Sequence, residues 1–193
     1  RGVYISLNGV DNDDWYEEID ELRCAKKKLQ AVQNIKDFGF SIDTGTIIVK
    51  GINEEAPSRL LHLMDTKDIQ TVTMRIKNVG QLGRYQKQED ENIKLAGLVK
   101  LCADQFQLSE DYIWSHYGKV HRYGGRVEPG TIEFPMDEDN TDRYNKRWIK
   151  ITDWDTDNHV GIPDPGSKRR GRLTENWTIA PMYEHIKMNE GNY

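Results

Sequence analysis

Long apolar runs are missing from this 193-residue chain, as is the pattern of a secretory leader. A membrane-spanning helix needs about 18 consecutive apolar residues, so no membrane partner is expected and the compartment expected is the cytoplasm. Cysteine is scarce: Cys24 and Cys102 are the two present. They are far apart and unlike a disulfide framework or a zinc ligand set, and both fall in helix-like segments as small core residues. Apolar residues make up 36%, below the usual share, and charged residues 31%, above it, which fits much surface and long polar loops. The formal net charge of −5 gives no general affinity for nucleic acid or anionic membrane. There is no Walker loop, no GxGxxG and no Ser-His-Asp order. His62, His116, His121, His159 and His185 lack metal-ligand spacing such as HExxH and read as surface or core histidines.

What remains is an alternation of strand-like and helix-like segments on a length that suits one domain, or one domain with an appendage. Residues 3–7 read as a short strand bounded by Asn8-Gly9. Residues 11–14 form a polar connector, with Asp14 a candidate N-cap and Glu17 three residues on. Between residues 17 and 38, Ile19, Leu22, Leu29, Val32 and Ile35 mark one face of an amphipathic helix that stops at Gly39. A second strand over 41–49 follows, then a short helix carrying Pro57, Leu60, Leu61 and Met64. A third strand over 69–77 is closed by Asn78, Gly80 and Gly83, and a third helix spans 89–108. Strand-helix repetition with short links implies parallel strands and right-handed crossovers, as in half of a barrel or an open doubly wound sheet. Three strands alone would leave exposed edges, so a missing partner half is expected.

After Leu108 the character changes. Residues 109–117 suit a short helix, Gly124-Gly125 and Pro129-Gly130 signal turns, and residues 131–134 and 147–153 read as two antiparallel strands. An acidic connector covers 137–142, a Pro/Gly/basic loop 161–172, and a closing helix 182–188. The division expected is therefore residues 1–108 as partial barrel and 109–193 as an α+β extension. Trp114, Trp148, Trp154 and Trp177 read as core and interface packing. The chain opens on Arg1 with an apolar strand at once, which suggests a fragment or processed half.

The stretch 40–55, FSIDTGTIIVKGINEE, carries the functional argument. It is a strand delivering a glycine turn and polar side chains at its C-terminal end, where α/β enzymes hold ligands. Ser6, Asn8, Lys50, Asn53, Glu54, Arg75 and Asn78 all sit at or just past the C-terminal ends of the three strands. Lys50 and Arg75 would suit a ligand carboxylate, and Ser6 and Asn8 ribose-type hydroxyls. Gly51 fits a positive φ or a close ligand approach. Each residue taken singly is equally an ordinary polar loop residue; the shared placement favours a site.

Three segments resemble the C-terminal half of a radical S-adenosylmethionine (radical SAM) enzyme. VYISLNG over residues 3–9 resembles the fourth barrel strand of that family, which ends near the SAM ribose or methionine moiety. TIIVKGINE over 46–54 resembles the fifth strand and its loose GxIxGxxE motif, matched at Gly51 and Glu54. VTMRIK over 72–77, followed by Asn78 and Gly80, resembles the sixth strand, whose end lies by the adenine. The resemblance implies a partial TIM-type (β/α) barrel in which Ser6, Asn8, Lys50, Gly51, Asn53, Glu54, Arg75 and Asn78 bind SAM. It also implies a 4Fe-4S iron-sulfur cluster, an oxidoreductase reaction through a 5′-deoxyadenosyl radical, and an unidentified small-molecule or peptide substrate.

One departure is large. The CxxxCxxC motif that holds the cluster in this family is absent, as is the glycine-glycine-acid motif for the SAM amino group, and Cys24 and Cys102 do not replace three closely spaced thiolates. The resemblance therefore implies that the cluster-binding half lies outside these residues and that the chain alone is inactive. The alternative is a non-catalytic α/β binding or adaptor module using Arg169, Arg170 and Arg172, or the acidic 137–142 loop, against a partner. A different phosphate-binding barrel enzyme is weaker, because no glycine-rich cradle is present.

Overall fold

The computed structural model describes residues 2–70, 72–78, 93–119, 130–137, 147–153, 171–173 and 179–181. The expected turns at Gly80, Gly83 and 124–129, the basic residues Arg169 and Arg170, Trp154, Trp177, His121, His159, His185, most of the acidic connector and the helix over 182–188 lie outside those residues.

The element order is β1 (Gly2–Ser6), α1 (Asp13–Asp20), α2 (Ala25–Asp37), β2 (Ser41–Ile48), α3 (Ala56–Thr66), β3 (Val72–Asn78), α4 (Leu95–Phe106), α5 (Glu110–Trp114), β4 (Thr131–Pro135), β5 (Arg147–Thr152), β6 (Gly171–Leu173) and β7 (Ile179–Pro181). The first five strands form one sheet in the order β1-β2-β3-β5-β4, and β6 pairs with β7 antiparallel. The pairings β1–β2, β2–β3 and β3–β5 are parallel, whereas β4 runs antiparallel to β5 along the edge. The chain is thus α/β with a mostly parallel sheet. Strands from both sides of residue 108 share that sheet.

Register and burial assign the two faces. Ile42, Thr44, Thr46 and Ile48 line up with Val72, Met74, Ile76 and Asn78, and these with Arg147, Ile149 and Ile151. One core cluster joins the apolar members of this face to Val32 of α2, Leu60 and Met64 of α3, Leu98, Val99 and Phe106 of α4 and Ile113 of α5. Helices α2 to α5 therefore pack on one side. Because the parallel strands β1, β2 and β3 succeed one another in chain order, right-handed crossovers put the helices that link them on that same side.

The single amphipathic helix expected over 17–38 is two helices. Glu21 adopts a left-handed conformation (φ 57°), ends α1 and directs its N–H to the Tyr16 and Glu17 carbonyls. The Asp13 carboxylate then accepts the Ala25 N–H at 2.8 Å, which satisfies a first-turn donor of α2. Tyr16, Cys24 and Ala25 form a small satellite cluster at this corner. The N-cap is Asn12 rather than Asp14: its Oδ1 accepts the N–H groups of Asp14 (2.8 Å) and Trp15 (3.2 Å).

Candidate functional site

The C-terminal strand ends carry buried amides, and the local sequence explains their engagement. Parallel strands leave unpaired backbone groups where they stop, and buried groups of that kind need partners. Asn8 and Asn53, both buried, supply them. Asn53 Nδ2 donates to the carbonyls of Asn8 (2.9 Å) and Ile47 (2.7 Å), while its Oδ1 accepts the Val49 N–H at 2.7 Å. Asn8 Oδ1 accepts the Ile47 N–H at 3.0 Å, and its Nδ2 donates to Asp20 at 2.8 Å. These two expected ligand residues therefore come together as a brace between the ends of β1 and β2. Val10, beside them, is a fully buried β-branched residue at φ 50°, a strained conformation held by the packing around it.

Lys50, Gly51 and Glu54 form the turn that leaves β2. Gly51 adopts φ 78°, as its place in the turn requires, and the Glu54 carboxylate accepts its N–H at 2.9 Å. The Glu54 carbonyl accepts a hydrogen bond from Gln105 Nε2, which ties this turn to α4. Lys50 is exposed.

At the end of β3, Asn78 Nδ2 donates to the Asp153 carboxylate at 2.6 Å, and the other Asp153 oxygen accepts the Leu95 N–H at 2.9 Å. Asp153 is buried just past β5 and caps the first turn of α4. The sequence pattern did not single it out, although it closes the run RWIKITD as Asn78 closes β3.

Ser6 and Arg75 belong to a second group on the sheet face away from helices α2 to α5. Ser6 is half-buried at the end of β1, with its Oγ 3.5 Å from the Gly45 carbonyl. Ser6, Gly45, Arg75, Lys150 and Glu133 form one cross-strand row, and Tyr4, Asp43, Thr73 and Trp148 form the row beside it. Arg75 Nη2 donates to Asp43 Oδ2 at 2.5 Å, with the two side chains 31% and 28% exposed. At that exposure the pair is worth about 1 kcal/mol or less. Arg75 Nε is buried without a hydrogen-bond acceptor among the described residues. The Tyr4 ring lies over Gly45, where the Cβ of any other residue would meet the phenol oxygen at 1.7 Å. Arg75 Cζ and Lys77 Nζ each lie 5.7 Å from the ring centroid. Burial, chiefly, holds the Tyr4 phenol above its ordinary pKa; Arg75 lowers it and Asp43 raises it further.

Tyr4, Asp43, Gly45 and Lys77 were not among the expected site residues. Their signal was charge inside strands: parallel strands buried on both faces read as near-continuous apolar runs, and Asp43, Arg75 and Lys77 interrupt them on one face. A separate depression of about 380 Å³ opens between α2 and the end of α3, lined by Asp11, Asp13, Lys26, Gln30 and Lys67 among others.

No group of three metal-ligating side chains occurs among the described residues. Cys24 and Cys102 are both buried, on different elements, and burial pushes both thiols above their ordinary pKa. The residues present do not fit a 4Fe-4S cluster. Among the described residues no helix is long and apolar enough to cross a membrane. No family model matches the chain, and no curated protein or solved structure matches it.

Proposed function

We propose that this chain forms the SAM- and substrate-facing wall of a radical SAM oxidoreductase, built as part of a (β/α) barrel. The supporting observation is the division of the sheet: α2 to α5 take one face, and Arg75, Asp43, Lys77, Lys150 and Glu133 stand half-buried on the other. A doubly wound sheet reverses its strand order and carries helices on both faces. A barrel keeps chain order and turns its helix-free face inward, toward a ligand. The parallel strands β1, β2, β3 and β5 keep chain order, which supports the second arrangement, while the antiparallel edge strand β4 departs from it.

In this reading the cluster is held by residues outside the chain. SAM, when bound, would supply the 5′-deoxyadenosyl group for hydrogen abstraction. The chain's own part is positional. Arg75 orients a ligand oxyanion from β3, while Tyr4 and Trp148 wall the same face. The Asn8–Asn53 and Asn78–Asp153 braces fix the strand ends so that the wall does not move on binding. Calorimetric titration with SAM under anaerobic conditions tests this. Saturable binding that weakens about tenfold or more in Arg75→Gln supports the reading; absence of binding, or binding indifferent to Arg75, overturns it.

One observation favours the second reading, a non-catalytic binding module. The amides of Asn8 and Asn53 are spent on the backbone and on the Asp20 carboxylate rather than presented to a ligand. That reading predicts a stable, monodisperse chain with no affinity for SAM.

A further inference from the structure

The notch at Gly45 joins features that no braced strand end shares. Gly45 sits mid-strand, where a glycine marks close approach of another group, and the group is the Tyr4 side chain. Tyr4 lies down onto Gly45, the residue aligned with Ser6, and the charged ends of Arg75 and Lys77 each lie 5.7 Å from its ring centroid. Asp43 is the carboxylate on this spot, paired through one guanidinium nitrogen at partial exposure. Arg75 and Lys77 thus both stand by the Tyr4 ring, and Arg75 retains a donor, Nε, with no acceptor among the described residues.

We propose that Tyr4, Arg75 and Lys77 form an oxyanion-binding site over Gly45 that takes the carboxylate or phosphate group of a small ligand. The phenol donates one hydrogen bond, the guanidinium donates from its fork, and Lys77 adds a point charge. A phenol is protonated at neutral pH, and the partial burial of Tyr4 raises its pKa further. Asp43 is the internal competitor: it holds Arg75 in place when the site is empty and yields to a ligand oxyanion. The site deepens the Arg75 contact of the proposed function by naming its partners and its ligand chemistry; oxyanion binding without SAM binding would leave this site standing and overturn the radical SAM reading.

The test is a nitrogen-15 NMR titration of the whole chain with inorganic phosphate and, separately, with acetate, against sodium chloride at matched ionic strength. Saturable shifts at the Gly45 and Arg75 amides are expected with at least one oxyanion and not with chloride; the stronger of the two arms assigns phosphate or carboxylate. Arg75→Gln should weaken binding about tenfold or more, and Tyr4→Phe by a few-fold. Asp43→Asn should have the opposite sign, tightening binding a few-fold by removing the competitor. That sign change is one a purely structural role would not produce. In Gly45→Ala the new Cβ displaces the flexible end of Tyr4 rather than backbone, so binding should weaken while the fold persists. Shifts that follow ionic strength alone, or Asp43→Asn weakening binding as Arg75→Gln does, would overturn the site.

Discussion

Replacing Asn53 by alanine separates scaffold from ligand contact most sharply. The side chain is fully buried and makes three hydrogen bonds, two in buried surroundings and one in partly buried surroundings. Alanine leaves the Val49 N–H and the Asn8 and Ile47 carbonyls without those partners. Each buried group left unsatisfied costs about 1–3 kcal/mol, and the partly buried Ile47 carbonyl recovers some of its share from water. The loss worked from these contacts is about 3–5 kcal/mol, a large fraction of the stability of an ordinary domain. Urea unfolding followed by far-ultraviolet circular dichroism reads it as a lower midpoint at unchanged slope. Asn53→Asp should be at least as damaging, since a carboxylate oxygen would then face two carbonyls. A loss below about 1 kcal/mol would refute the brace, because it would mean that the three contacts are not made in solution.

Three further outcomes follow from the same contacts. Asp153→Ala removes a helix cap and the partner of Asn78 together, so a loss of about 2–3 kcal/mol is expected in the same unfolding assay. The Tyr16 phenol is held above its ordinary pKa, first by burial and then by the Cys24 and Asp20 charges. Its neutral form is favoured in the native state, so its contribution is complete below about pH 10, where the unfolded phenol titrates, and is lost as pH rises beyond that. Alkaline loss of stability should therefore be shallower in Tyr16→Phe. Cys102 is fully buried on α4, and its thiol should react with a disulfide reagent only as fast as the chain unfolds; rapid labelling of a Cys24→Ser variant would contradict its placement.

Much of the fold was legible because the governing patterns are local. The β-branched runs around Val3–Ile5, Thr46–Val49 and Val72–Ile76 mark strands whatever surrounds them, and so do Thr131–Phe134 and Arg147–Thr152. The break at Glu21 was hidden because Ile19 and Leu22 hold a three-residue step across it and Leu22 and Leu29 a seven-residue step into α2; the corner is set instead by the contact of the Asp13 carboxylate with the Ala25 N–H, well beyond one helical turn. That β5 would lie beside β3 was not readable either, since it depends on pairing residues as distant in the chain as Val72 and Arg147.

The candidate site divides in the same way. The positions past the strand ends were legible, but whether an asparagine there faces a ligand or its own backbone is settled by which carbonyls the neighbouring strand brings near. Asn53 faces both Ile47 and Asn8. The charged face needed the register: only when Gly45 is aligned with Ser6 and Arg75 do Tyr4 and Arg75 become neighbours.

The central claim is that the face of the sheet opposite α2 to α5 binds SAM. Ultraviolet cross-linking of carboxyl-labelled SAM to the whole protein, followed by mass-spectrometric mapping of the labelled peptides, tests it most directly. Label is expected on β1, β2 or β3 near Tyr4, Gly45 and Arg75, with reduced labelling in Arg75→Gln. Label confined to other surfaces, or none at saturating SAM, would contradict the claim and leave the binding-module reading in its place.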